Sequence, residues 1–125
     1  MGIFSRKARG NQYEEALQQM NQEPISKAAE RILFDEITGD DAKTLYYVDQ
    51  MMDGHPLVLN FEHLDVPTAN KVLAFLAGAT YVLEGQTIKI DEKIYLFARG
   101  EDFLDQSLDM WLKDLKGWWI IIFKK

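Results

Sequence analysis

Short apolar runs and helical stripes alternate through the middle of this chain. Ile32, Leu33, Phe34 and Ile37 form a compact run closed by Gly39, which predicts a buried strand. Asp40 is placed to cap a helix whose apolar positions, Ala42, Leu45, Val48 and Met52, recur at helical spacing until Gly54 and Pro56 end it. Leu57 to Phe61 is apolar on both sides, as a central parallel strand is. Asp65 caps a second helix over Val66 to Leu83, with Pro67 tolerated in its first turn. Glu84-Gly85-Gln86 then turns the chain into two further strands, Thr87 to Ile90 and Ile94 to Ala98.

The second helix carries more apolar surface than one sheet face can take. Ala69, Val72, Leu73, Leu76, Thr80 and Leu83 make a stripe that would face a sheet, and Phe75, Ala79 and Val82 make another beside it. Together they span about 180°, against the roughly 100° of an ordinary surface helix. Small Ala74, Gly78 and Ala79 admit close approach of another helix, so Phe75, Gly78, Ala79 and Val82 are the expected self-association face. The competing reading is that a loop or tail of the same chain covers Phe75 and Val82.

In the final hairpin, Ile88, Ile90, Ile94 and Leu96 all face the core only if paired residue numbers have an even sum, which selects the odd-length loop Asp91, Glu92 and Lys93. That register sets Lys89 opposite Tyr95 and Thr87 opposite Phe97 on an outer face. Aromatic rings on an open face ask for a partner; an ordinary cross-strand pair is the plain alternative. Right-handed crossovers place both helices on one side of the sheet and leave the other side open. The predicted fold is a small α/β two-layer sandwich, order β-α-β-α-β-β, with two helices on one face of a mixed four- to five-stranded sheet. Residues 31–103 are its core domain, between an N-terminal segment, 1–30, and a C-terminal extension, 104–125.

The ends have a different character. Residues 8 to 30 are rich in Gln, Asn and Glu and bury too little to offset their ordering entropy, which predicts a flexible linker. Ile3 and Phe4 precede the basic Arg6 and Lys7; Leu104, Leu108, Trp111, Leu115 and Trp118 form a helical stripe ahead of Trp119 and the final lysines. Interfacial Trp with terminal Lys suits a segment lying among lipid headgroups, so Ile3, Phe4, Trp111, Trp118 and Trp119 are candidate membrane contacts. The alternative is that the tail folds back and closes the core.

Composition narrows the function classes. With 125 residues, 47% of them hydrophobic, the chain fills one core. Residues 31 to 104 hold six basic against thirteen acidic side chains while the ends are near neutral, so the middle repels phosphate and nucleic acid is not an expected partner. There is no cysteine, hence no disulfide framework or thiolate metal site, in keeping with a cytoplasmic setting. The longest apolar run, Trp118 to Phe123, falls far short of the roughly 20 residues needed to cross a bilayer, and the first residues lack a secretory or acylation pattern. His55 and His63 flank one strand in loops, without the converging ligands a metal needs. Neither a phosphate loop, a nucleophile elbow nor a dinucleotide fingerprint is present. The chain is therefore expected to be no enzyme, with no catalytic residue, metal or cofactor.

Three segments together resemble the SepF family of bacterial cell-division proteins: Gly54-His55-Pro56-Leu57-Val58-Leu59-Asn60-Phe61, Ala69-Asn70-Lys71-Val72-Leu73-Ala74-Phe75-Leu76-Ala77-Gly78-Ala79-Thr80-Tyr81, and Ile88-Lys89-Ile90-Asp91-Glu92-Lys93-Ile94-Tyr95-Leu96. The resemblance implies a homodimeric or polymeric α/β sandwich that binds the C-terminal tail of FtsZ and tethers division filaments to the inner face of the membrane at the division site. It implies that the tail-binding surface lies around the last hairpin, where Lys89, Tyr95 and Phe97 are the corresponding residues. The alternative from another class is a dimeric α/β domain that senses a small molecule.

Overall fold

The computed structural model describes residues 26–123, with side chains through residue 115. The expectations for the linker before residue 26, for Ile3 and Phe4, and for the Trp118 and Trp119 side chains lie outside the described residues. A 3-10 turn, Ala28–Arg31, leads into β1 (Leu33–Glu36), α1 (Asp41–Met52), β2 (Leu57–Asn60), α2 (Val66–Val82), β3 (Gln86–Asp91) and β4 (Ile94–Ala98). A second 3-10 turn, Gly100–Phe103, precedes α3 (Ser107–Phe123).

The four strands form one mixed sheet in the order β1-β2-β4-β3, with β1 parallel to β2 and both other pairs antiparallel. The steps from β1 to β2 and from β2 to β3 run the same way across this order. A single crossover handedness therefore puts α1 and α2 on one face. Asp40 and Asp65 cap the two helices as their sequence positions predict, accepting from the Ala42 and Thr68 N–H groups at 3.0 Å. Gly85 makes the turn into β3 possible: a Cβ there would lie 2.0 Å from the Ala98 carbonyl oxygen.

On α2 the buried residues Val72, Leu76 and Thr80 are the expected stripe, with Ala69, Leu73 and Leu83 packed beside them. On α1 the stripe is different. Thr44, Tyr47 and Met51 are buried, with Val48 partly so, while Leu45 and Met52 are more than half exposed. Polar tips explain the rotation, because each finds a partner inside. The Thr44 hydroxyl donates to the Asp40 carbonyl at 3.1 Å, and the Tyr47 hydroxyl donates to Asp35 Oδ2 at 2.7 Å. Burial and the Asp35 carboxylate push the Tyr47 phenol far above its usual pKa, and the same bond lowers that of Asp35. A pattern read from apolar residues alone cannot see this face.

The hairpin has the expected register, Thr87 opposite Phe97 and Lys89 opposite Tyr95, but the opposite facing. Phe97 is wholly buried under the helices, and Tyr95 packs against the same core. Ile88 and Leu96 point to the other side. An irregularity between Lys89 and Asp91 absorbs one residue, so the loop is Glu92 and Lys93 rather than three residues.

The second face is only partly covered: Phe34 is 61% exposed and lines a groove with Val58, Asn60 and Ile94. Phe34, Val58, Leu96 and Ile88 lie in register across all four strands, and Leu96 is fully buried. α3 packs on the two 3-10 turns and reaches one part of this side: Leu108 is buried with Ala28 and Ala98, and Trp111 meets Phe34 at 6.0 Å between ring centroids. Leu104, expected in the helical stripe, precedes α3 and is 81% exposed.

Polar contacts fasten this layer. Asp105 accepts from the Ala28 N–H at 2.9 Å and the Ser107 hydroxyl at 2.7 Å, and the Ala29 N–H donates to Ser107 Oγ at 3.0 Å. Asp102, 2% exposed, accepts from Arg31 at 3.2 Å and from Arg99 at 3.0 and 3.1 Å. The same guanidinium groups donate to the Gly54 and Met52 carbonyls at the end of α1.

The Ala28 N–H, with the Ser107 hydroxyl and N–H, holds the Asp105 carboxyl down to about 2. A lowered folded-state pKa stabilises fully above the ordinary carboxylate range, about pH 4, and its contribution is lost as pH falls through the folded value. Asp105→Asn should therefore lower the urea midpoint at neutral pH and flatten the loss of stability between about pH 4 and pH 2. Equal acid slopes for both chains, followed by circular dichroism, would remove this role from Asp105.

Candidate functional site

β2 ends at Asn60, and the chain then turns sharply, because the Asn60 side chain accepts from the Glu62 N–H at 2.8 Å. Phe61 is drawn inward, and its N–H donates to the Lys93 carbonyl at 2.8 Å, fixing the hairpin turn beside the start of α2. Between these walls lies a cleft of about 150 Å³, lined by apolar side chains including Phe61, Leu64, Val66, Leu73 and Tyr95, with Asn70, Glu92 and Lys93 among its polar residues.

Tyr95 closes the cleft against Phe61, edge to face, with ring centroids 5.3 Å apart, a favoured aromatic geometry. Lys89 is its cross-strand partner on the edge strand, half exposed, with Nζ 4.0 Å from Glu92. The structure therefore brings Lys89 and Tyr95 together as expected, on the helix side of the sheet and not on an outer face. Phe97 is set apart from them as a binding residue, because it is 0% exposed and belongs to the core. Its truncation to Ala would cost about 3–5 kcal/mol of stability. Phe61, Leu64, Val66 and Leu73 were not singled out for binding from the sequence. The only cue was their position on either side of the Asp65 cap, with nothing to bring that turn beside the hairpin.

A second surface runs along the outside of the helical layer. Phe75 is 48% exposed and Val82 77% exposed, with Tyr81 and Leu45 also exposed. A groove between α1 and α2, about 400 Å³, is lined by Thr44, Leu45, Val72 and Phe75, with Asp41 and Lys71 paired at 3.5 Å. Of the expected self-association residues, Phe75, Gly78 and Val82 are exposed, while Ala79 packs inward against the core. Among the described residues, and apart from its own helix backbone and chain neighbours, no atom lies within 4 Å of where a Gly78 Cβ would be. Nothing among the described residues requires glycine there.

Among the described residues no group of three or more His, Cys, Asp or Glu side chains converges to hold a metal. His63 meets Glu36 at 3.3 Å, and His55 Nδ1 lies 3.0 Å from the Arg31 carbonyl. Nor is any described helix long and apolar enough to cross a membrane.

Residues 32–98, more than half of the 125-residue chain, match the family model described as "Cell division protein SepF". The chain belongs to the SepF family. It is 46% identical over 56 residues to a cell division protein sepF homolog of Cyanophora paradoxa, covering 42% of this chain and 52% of that relative. It is 38% identical over 65 residues to the cell division protein SepF of Carboxydothermus hydrogenoformans, covering 52% of this chain and 42% of the relative. For the SepF of Symbiobacterium thermophilum the identity is 45% over 51 residues, 41% of this chain and 25% of the relative. The chain thus spans about half or less of the length of these curated relatives. The matched segment runs from β1 to the end of β4, so it contains the cleft and the exposed helix face but stops short of α3.

A solvent-exposed helical Gly costs about 0.5–1 kcal/mol relative to Ala. Gly78→Ala should raise the urea-unfolding free energy of the chain at low, monomeric concentration by that amount. A loss of stability there would mean that the subunit itself needs the space over Gly78.

Proposed function

We propose that this chain is a division adaptor that binds the C-terminal tail of FtsZ at the cleft beside Lys89 and Tyr95, pairs with itself through the outer face of α1 and α2, and rests against the membrane through its ends. The observation that carries the reading is the placement of Lys89 beside Tyr95, which itself lines an apolar cleft, within the segment matched to the family. An apolar floor with Lys93 at its rim and Lys89 on the neighbouring edge strand suits a short peptide that offers an apolar anchor next to acidic residues. Each contact of this size is weak, and a paired or polymeric adaptor raises the apparent affinity through effective concentration. Exposed Phe75 and Val82, together with the open space over Gly78, support a helix-to-helix pairing.

Co-sedimentation with FtsZ filaments tests the tail-binding reading. Pelleting is expected with full-length FtsZ and is expected to vanish when its C-terminal tail is removed. Lys89→Glu should weaken it at least tenfold without altering the melting temperature, since Lys89 is an exposed edge residue. Tail-independent pelleting, or none, combined with thermal stabilisation by a small metabolite, would favour the sensing domain instead.

For the membrane reading, deleting the whole extension is a poor test, because Leu108 is part of the fold. The better variant is Trp118→Ser with Trp119→Ser, which leaves Leu108 and Trp111 in place. It is expected to reduce flotation with phosphatidylglycerol-containing vesicles severalfold, and unchanged flotation would remove these residues from the lipid contact.

A further inference from the structure

Beside β1 the second sheet face keeps a groove of about 420 Å³, lined by Phe34, Asp35, Glu36, Val58, Asn60 and Ile94. Strand alternation decides which of these belong to it. Phe34 and Val58 pair in one row, and Glu36, Asn60 and Ile94 pair in the next row on the same face. Asp35 has the other parity, and its carboxylate is held on the helix side by Tyr47 and Lys43. The groove thus offers exposed apolar side chains next to one carboxylate, that of Glu36, which is more than half exposed and pairs with an equally exposed His63. A pair so placed is weak and yields to a stronger cation.

The start of the chain carries the complementary chemistry. Ile3 and Phe4 are followed directly by Arg6, Lys7 and Arg9, and no acidic residue precedes Glu14. Reach is sufficient as well. Ser26 is held against the fold, its carbonyl accepting from Arg31, and Phe34 lies eight positions further on, at most about 28 Å away. Phe4 and Ser26 are 22 positions apart, a span of over about 70 Å when extended. A tether of this length reaches the groove from any side and keeps its end at a local concentration on the order of millimolar. We propose that Ile3 and Phe4 dock in this groove of their own chain, with Arg6 and Lys7 against Glu36, and are thereby covered until a lipid surface draws them away. An anionic bilayer competes because it offers the same two things, apolar depth and negative charge. The release onto lipid rests on the membrane reading given above, whereas the docking does not.

The chain contains no cysteine, so Ser5→Cys carries a single nitroxide and leaves Ile3, Phe4 and the basic residues in place. The tagged, isotope-labelled chain is diluted into an excess of untagged, unlabelled chain without lipid, and amide signals are compared before and after reduction of the tag. Signals of Glu36, Asn60 and Ile94 are expected to weaken severalfold more than those of Phe75 and Tyr81 on the outer helical face, and Ile3→Ser with Phe4→Ser should abolish the difference. Equal weakening on both faces overturns the docking. So does weakening seen only when tag and isotope are on different chains, which would give the groove to a second copy. Flotation with phosphatidylglycerol-containing vesicles reads the release. Phe34→Ser removes the apolar seat, and Glu36→Gln removes the charge without adding a positive one. Each should raise flotation severalfold, and neither should do so in the Ile3→Ser, Phe4→Ser background. A gain that persists in that background overturns the covering of these residues. The expected signal pattern together with flotation indifferent to Ile3→Ser and Phe4→Ser would uphold the docking and overturn the release onto lipid.

Discussion

The four-stranded sheet carries apolar side chains on both faces, and this constraint shapes everything around it. On one face Leu57, Leu59 and Phe97 are fully buried, and on the other Leu96 is. Wetting either face forfeits the burial of several large side chains, each contributing roughly 1.5–3 kcal/mol. α1 and α2 cover only one side. The chain downstream of β4 covers part of the other, around Ala98 and Leu108, and the Asp105 and Asp102 contacts bind it to the Ala28–Arg31 turn, while Phe34 stays largely exposed.

The same constraint explains what could be read in the sequence and what could not. The order of elements, both Asp caps, the α2 stripe and the hairpin register were all legible, since each depends on neighbours in sequence or on the period of two along a strand. The facing of the hairpin was not. Ile88, Ile94 and Leu96 on one parity and Tyr95 and Phe97 on the other are both apolar sets, and parity alone cannot say which layer each meets. Assuming a single core assigned the rings outward. The buried face of α1 was hidden for another reason, since Thr44 and Tyr47 look amphipathic until Asp35 and the Asp40 carbonyl are in place.

The candidate site was legible in part. Lys89 and Tyr95 were paired by register alone, and that pairing survives the reversal of face because cross-strand neighbours move together. The cleft walls were not legible, because Phe61 and Leu64 reach Tyr95 only through the turn set by Asn60. Arg31 and Asp102 are separated by 71 positions along the chain and had no sequence signal in common. The apolar excess noted on α2 does lie outside, at Phe75 and Val82, whereas Ala79 is used within the subunit.

The clasp at Ala28 and Arg31 also has a mechanical meaning. Among the described residues β1 is an edge strand, held by its ladder to β2. Tension applied at Ser26 would reach that ladder only after passing through Arg31, bonded to Asp102 and Gly54, and through Ala28, bonded to Asp105. The pull is thus spread onto the end of α1 and the start of α3 before it can unzip β1. A domain loaded through Ser26 would be protected by this arrangement from peeling at that edge.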